Sequence, residues 1–189
     1  MKKIILASLL AFGLTSSAMA SEDGSGAYVG LAYGATAFSN GDGTTSISDD
    51  TDSGYKVYGG YQFNKIVGVE ATYTDYGTFK YTTGETLDAS SIAVAANLGY
   101  TFLDGQLRPF GLIGVSSLSL DQNHGAVYDD DKVFAVTYGV GVEYSPKMFQ
   151  GVGFRAMWNV DAYSVQEYTF SDSHVEAMGM FSAAVQYKF

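Results

Sequence analysis

The chain alternates between apolar residues and small or polar residues in eight separate segments. Successive side chains of a β-strand point to opposite faces, so each segment predicts a strand with one apolar face. The pattern is clearest at the C-terminus, where Phe181, Val185, Tyr187 and Phe189 share one face. The predicted strands cover residues 27–36, 55–63, 67–74, 92–102, 107–117, 134–144, 152–160 and 181–189.

The connections between the predicted strands alternate between short and long. Short turns are predicted at residues 64–65, 103–106 and 145–150. Long polar loops are predicted at residues 38–53, 77–90, 118–131 and 162–173. Outer-membrane barrels are built with short periplasmic turns and long extracellular loops. The sequence therefore predicts an all-β fold, an eight-stranded antiparallel transmembrane β-barrel with both termini in the periplasm.

The two faces of the predicted strands differ in the size and polarity of their residues. Aromatic and branched side chains share one face, whereas Gly, Ala, Thr and Asn share the other with charged Glu70, Glu143 and Arg155. A soluble lipocalin-like barrel or a β-sandwich is the alternative, and it would turn its apolar face inward. An apolar outside and a small, polar inside favour contact with lipid. The fifth strand, 107–117, could present either face outward.

The N-terminal residues have the three parts of an export signal. Lys2 and Lys3 are basic, residues 4–14 are apolar, and Ala18-Met19-Ala20 is a small-x-small cleavage site. An uncleaved membrane anchor is the alternative, but the apolar run is shorter than the roughly 20 residues that a spanning helix needs. We predict a signal peptide at residues 1–20, cleaved after Ala20, and one barrel domain at 21–189. The expected location is the outer membrane of a Gram-negative cell.

Charge and cysteine content exclude several classes of function. Without Lys2 and Lys3, eight of the ten basic residues remain against 20 acidic ones, a formal net charge of -12. A nucleic-acid partner would require a basic face, so none is expected. The chain has no Cys, which excludes disulfides and thiolate chemistry. We predict no cofactor.

Several segments together resemble the OmpA-like outer-membrane barrel domain family. They are YKVYGGYQFNKIVGVEATYTDYG at 55–77, LRPFGLIGV at 107–115, GVGVEY at 139–144, VGFRAMW at 152–158 and VQYKF at 185–189. The resemblance covers essentially all of residues 21–189 and includes no peptidoglycan-binding domain, so we do not expect the chain to tether the membrane to the cell wall. It is specific to the fold rather than to an activity.

The resemblance also implies roles for two groups of residues. Glu70 and Glu143 are expected to meet Arg155 in an ion-pair cluster inside the lumen, and Arg108 joins them if its strand faces inward. The cluster is either a gate across a pore or a buried structural network, and the narrowness of eight strands favours the network. The alternating C-terminal strand, with Phe181, Val185, Tyr187 and Phe189, resembles the signal read by the barrel assembly machinery.

Two histidines raise alternatives that the sequence supports weakly. His124 lies near Asp121 and Asp129–Asp131, and carboxylates suit Ca²⁺ or Mg²⁺, but the spacing matches no EF-hand. His174 follows Ser171, Asp172 and Ser173, which are the residue types of a hydrolase at the outer rim. Such residues are ordinary in hydrated loops. We predict neither a metal site nor an enzyme.

The predicted function is structural or surface-interacting, carried by acidic extracellular loops. The expected partners are outer-membrane lipid, lipopolysaccharide, the barrel assembly machinery and an extracellular ligand or host surface. We expect a monomer. The alternatives are a narrow, porin-like channel of low conductance and, less favoured, a rim-active enzyme.

Overall fold

The computed structural model describes residues 24–39, 45–46, 53–80, 86–122, 131–166 and 173–189. Eight long strands lie in these ranges: β1 (Gly26–Ser39), β2 (Ser53–Gln62), β3 (Val67–Lys80), β4 (Thr86–Gly99), β5 (Leu107–Gln122), β6 (Asp131–Tyr144), β7 (Val152–Gln166) and β8 (Ser173–Lys188). A two-residue strand, Thr45–Ser46, pairs with the end of β1. Within the same ranges, no helix is long and apolar enough to cross a membrane.

Each long strand pairs antiparallel with the next one along the chain, and β8 pairs with β1. The sheet therefore closes on itself without a free edge. The prediction of an eight-stranded antiparallel barrel is confirmed. The short turns between β2 and β3, β4 and β5, and β6 and β7 lie at the same end as the two described termini.

The strands are staggered around the barrel, which tilts them against its axis. From Glu70 on β3, the row of paired residues runs one way through Gly60 and Tyr28 to Lys188 on β8. The other way, the row passes through Ala95, Gly114, Thr137 and Asp161 to Met178, also on β8. The row thus returns to β8 ten residues from its start (188 minus 178). This stagger decides which side chains share a level inside the lumen.

Large apolar side chains cover the outside of the barrel. Leu31, Phe134 and Phe181 are each more than 60% exposed, and the alternating residues between the outward ones are buried. Aromatic pairs such as Tyr61 with Phe63 and Tyr100 with Phe102 lie near the end of the barrel that has the short turns. An outward apolar band with aromatic residues near its border is typical of outer-membrane barrels.

The structure decides the orientation of the fifth strand, which the sequence left open. Arg108, Phe110 and Leu112 of β5 are buried, whereas Ile113 and Val115 are exposed. Pairing on both sides, with β4 and with β6, determines this orientation. Arg108 therefore faces the lumen.

The predicted long loops were too long, because the strands continue well past the apolar band. β3 runs to Lys80 and β4 begins at Thr86, so most of the predicted loop 77–90 is paired. β5 reaches Gln122, β7 reaches Gln166 and β8 begins at Ser173. Above the apolar band the outer face also meets water, so the alternation in hydrophobicity fades while backbone pairing continues.

Candidate functional site

Six charged side chains are buried inside the described part of the barrel. Three are cations and three are carboxylates: Lys56, Arg108 and Arg155, and Glu70, Glu143 and Asp161. They come from β2, β3, β5, β6 and β7, whose inward faces meet in the lumen. An isolated buried charge is very unfavourable, and equal numbers of each sign allow these charges to compensate one another.

Arg155 connects both glutamates that the sequence analysis singled out. Its Nη1 lies 2.8 Å from Glu70 Oε2, and its Nη2 lies 3.5 Å from Glu143 Oε2. Glu143 is the direct cross-strand partner of Arg155, whereas Glu70 reaches it from β3 across the lumen. The geometry thus brings together the three residues expected to form an ion-pair cluster.

Three aromatic rings surround the Arg155 guanidinium, and the sequence analysis did not single them out. Its central carbon lies 4.5 Å from the ring centres of both Tyr58 and Phe110, and 5.4 Å from that of Tyr28. Tyr28 also donates a 2.8 Å hydrogen bond to Glu70 Oε2. The signal for these rings was present, since large aromatics occur on inward faces made mostly of small residues. We call the group formed by Arg155, Tyr28, Tyr58, Phe110, Glu70 and Glu143 the arginine layer.

Arg108 joins the arginine layer indirectly. It is the cross-strand partner of Glu143, yet in the described part of the chain its side chain donates to Asn97 Oδ1, at 2.9 Å, and to the Ile66 carbonyl oxygen. The Asn97 amide in turn donates to Glu70 Oε2 at 3.2 Å. An amide therefore links the second arginine to the buried glutamate.

A second polar group lies farther along the lumen toward the ends of the longer connections. Lys56 donates a hydrogen bond to Asn159 Oδ1, and Tyr76 donates one to Asp161 Oδ2 at 2.8 Å. Tyr76 faces inward by alternation with buried Thr74, and β3 has a bulge at this point, with Gly77 at a φ of 84°. Asp161 was not predicted inside the lumen, because the predicted strand ended at residue 160.

Apolar side chains fill the extracellular end of the lumen. Tyr76, Ala89, Leu118, Ala135, Tyr163, Met178 and Met180 form one buried cluster, with Leu120 and Val133 packed against it. These residues come from each of the strands β3 to β8. We call this cluster the apolar roof. The sequence did not predict it, because its members other than Ala135 lie in segments interpreted as loops or beyond the strongest alternation.

The C-terminal strand has the predicted orientation. Phe181, Val185 and Tyr187 are exposed on the outside, and the Phe189 ring packs 5.1 Å from that of Tyr187. The Phe189 N–H donates to the Ala27 carbonyl oxygen at 2.9 Å. Lys188 Nζ donates to Gln62 Oε1 and to the Gly24 carbonyl oxygen. The use of this strand as an assembly signal stays a prediction.

Other candidate residues lie wholly or partly outside the described ranges. The following lie outside these ranges: His124, Asp129, Asp130, Ser171, Asp172 and the signal peptide with its cleavage after Ala20. His174 is paired with Val165 in the backbone ladder of β8 and β7. In the part of the chain that is described, no three His, Cys, Asp or Glu side chains are grouped so as to hold a metal ion.

The closed barrel, with its charged interior and apolar exterior, agrees with the protein family that the sequence matches. The family model described as the outer membrane protein beta-barrel domain matches residues 4–189. The chain belongs to this family. Membership indicates an outer-membrane β-barrel, in agreement with the predicted location. No curated protein matches the chain.

Solved structures of several outer-membrane proteins share the fold of this family member. Neisserial surface protein A is 17% identical with a TM-score of 0.68, covering 88% of this chain and 99% of its own. Ail of Yersinia pestis, in complex with the heparin analogue sucrose octasulfate, is 16% identical with a TM-score of 0.57. The match covers 87% of this chain and 99% of the Ail chain. The N-terminal β-barrel domain of Pseudomonas aeruginosa OprF is 14% identical with a TM-score of 0.56, covering 86% and 97%. At these identities the likeness establishes the fold.

Proposed function

We propose that this outer-membrane barrel acts at the cell surface, through the acidic segments that join its strands, and that it has no enzymatic activity. The observation that carries the proposal is the distribution of charge between the two ends of the barrel. The lumen supports it, because the arginine layer and the apolar roof both fill the space through which a solute would pass.

Carboxylates are concentrated in the segments that connect the strands at the end away from the termini. Residues 40–52, 81–85, 123–130 and 167–172 contain nine Asp and Glu residues and no Lys or Arg. The short turns at the other end contain Lys65, Lys147 and Asp104. Because like charges add over such a surface, the outer end carries a negative potential that attracts cations.

The charge predicts a partner of opposite sign. Ail was solved with sucrose octasulfate, a polyanion. The acidic segments of this chain would repel such a ligand, since complementary charge is what steers two surfaces together. We therefore propose that the extracellular ligand or host surface that meets this barrel is positively charged.

The test compares binding of a cationic and an anionic probe to intact cells. A variant with the nine carboxylates of these segments changed to Asn or Gln should bind a lysine-rich polypeptide less than the unaltered protein does, and added salt should reduce the difference. A polyanion should bind neither protein. Changing Lys65 and Lys147 to Gln, at the opposite end, is the matched control and should leave binding unchanged. Equal binding of the cationic probe to both proteins would reject the proposal.

A narrow channel is the second candidate. Seven buried polar side-chain atoms in the described lumen lack a hydrogen-bond partner, which favours some water inside the barrel. Conduction also needs a continuous path through the arginine layer and the apolar roof. Conductance in planar bilayers separates the two functions.

A further inference from the structure

Asp161 is a buried carboxylate that has no cation paired with it in the described part of the chain. Its side chain is 1% exposed. Oδ2 accepts the hydrogen bond from Tyr76, whereas Oδ1 has no hydrogen-bond partner among the described residues. Glu70 and Glu143 differ in this respect, because both lie within ion-pair distance of Arg155. A buried anion without a paired cation is unfavourable, so Asp161 has the capacity to bind one.

Lys56 is buried in the same polar group but does not neutralise Asp161 by direct contact. Its ammonium group donates a hydrogen bond to Asn159 Oδ1, the neighbouring acceptor on β7. No ion pair joins Lys56 to Asp161 in the described part of the lumen. The Asp161 carboxylate is therefore held by Tyr76 through one oxygen, and its second oxygen is available to a ligand.

Two methionines of β8 lie opposite this part of β7. Met178 is the direct cross-strand partner of Asp161, and Met180 is that of Asn159. Directly opposed side chains of an antiparallel pair have Cβ atoms about 4.5–5.5 Å apart, and alternation places the two methionines on one face. Both are fully buried and belong to the cluster that contains Tyr76. Two thioethers and one unpaired carboxylate oxygen thus lie on adjacent positions of two paired strands.

This set of donors suits a soft monovalent cation. Thioether sulfur is a soft ligand and binds Cu⁺, and the carboxylate supplies one negative charge to balance it. Ca²⁺ and Mg²⁺ require several oxygen ligands, whereas Met178 and Met180 provide none from their side chains. Structural Zn²⁺ sites commonly use thiolates, and the chain has no Cys.

We propose that Met178, Met180 and Asp161 form a binding site for a soft monovalent cation, Cu⁺ or Ag⁺. Tyr76 supports the site, because its hydrogen bond to Oδ2 orients the carboxylate and leaves Oδ1 for the ion. The site goes beyond the surface role proposed above and does not depend on it. The sequence analysis predicted no metal site. The two methionines precede the predicted eighth strand and Asp161 follows the predicted seventh, so nothing placed them together.

The first test uses the unaltered barrel in lipid bilayers, so it does not depend on the folding of a variant. Ag⁺ is the probe, because it has the charge of Cu⁺ and keeps its oxidation state during the measurement. When Ag⁺ is added in equal amount to the protein, the ¹³C-methyl NMR signals of Met178 and Met180 should shift. Met148, 79% exposed in the turn between β6 and β7, and buried Met157 of β7 are internal controls. Unshifted signals from Met178 and Met180, or an equal shift at Met148, would overturn the proposal.

The second test removes the sulfur atoms and keeps the apolar volume. Combining Met178→Leu with Met180→Leu makes such a change, which cores tolerate well. Removing even a supporting group weakens metal binding about 10–100-fold, so this double variant should lose at least as much affinity for Ag⁺. Met148→Leu combined with Met157→Leu is the matched control and should bind Ag⁺ like the unaltered protein.

The urea midpoint of unfolding in lipid reports this binding, because an ion that binds only the folded state raises it. Ag⁺ should raise the midpoint of the unaltered protein and of the control, and should raise that of the double variant much less. Asp161→Asn should also reduce the effect, since the negative charge is lost. K⁺ at the same concentration should have no effect on any of them. An equal effect of Ag⁺ on the double variant, or of K⁺ on the unaltered protein, would overturn the proposal.

Discussion

In the described part of the lumen, Arg155 makes more contacts than a single ion pair would. Two glutamates share its guanidinium, and three rings lie against it. A planar guanidinium can bond carboxylates in its plane while rings stack on its faces, which an ammonium cannot do. The residue therefore holds β3, β6 and β7 together through chemistry that only arginine provides.

Replacing Arg155 should test this role at the scale of one residue. Arg155→Ala leaves Glu70 and Glu143 buried without their shared cation, and breaking a buried pair costs roughly 3–5 kcal/mol. Arg155→Lys restores the charge without the planar group, so its loss of stability should be smaller but measurable. Urea unfolding in lipid provides the comparison. A Lys variant as stable as the unaltered protein would show that charge alone matters and that the rings do not.

At the scale of the element, β8 differs from the other strands in closing the barrel. It pairs with β7 from Ser173 to Tyr187 and with β1 from Ala177 to Lys188. Until β8 is in place, β1 and β7 present free edges, which promote aggregation. Phe189 extends this closure, because its N–H bonds to Ala27 and its ring packs on Tyr187.

Changes at Phe189 should separate the ring from the backbone bond. Phe189→Ser keeps the hydrogen bond to Ala27 and removes the aromatic side chain, whereas deletion removes both. If the ring is part of an assembly signal, both variants should be exported and should accumulate less in the outer membrane. Phe149→Ser, at an exposed aromatic of the turn between β6 and β7, is the control. Membrane levels of Phe189→Ser equal to those of the control would mean that the ring carries no signal.

At the scale of the whole molecule, two groups of side chains lie at different heights in the lumen. The arginine layer consists of paired charges and rings, and the apolar roof consists of packed hydrocarbon. The two groups differ physically, because an apolar constriction excludes ions by excluding water. We expect that both must open before a continuous path exists.

Conductance in planar bilayers should reflect these two groups of side chains. The unaltered barrel should give no steady conductance, and Arg155→Ala alone should add little because the roof remains. Combining Arg155→Ala with Leu118→Ser should produce measurable current, since a polar group then admits water to the roof. A steady conductance of the unaltered protein would favour the channel over the surface role. Leu118→Ser alone is the control for the effect of the roof.

The number of strands and, except for the fifth strand, the face that each turns outward followed from the sequence. Alternation is a local property, since neighbouring side chains of any strand point in opposite directions. Glu70, Glu143 and Arg155 were therefore assigned to the inside from their own segments, before any strand was paired. The resemblance to a barrel family added the expectation that they meet.

Tertiary structure alone decided how far the strands extend, how they are staggered and which inward residues touch. β5 was ambiguous until pairing with β4 and β6 turned Arg108 inward. The rings around Arg155, the pair of Tyr76 with Asp161 and the apolar roof join residues far apart in the chain. Such contacts depend on the stagger, a property of the closed sheet as a whole. The stagger cannot be predicted from any single strand. A hydrogen-bonded row returns to its starting strand, ten residues away, only after all eight strands have paired.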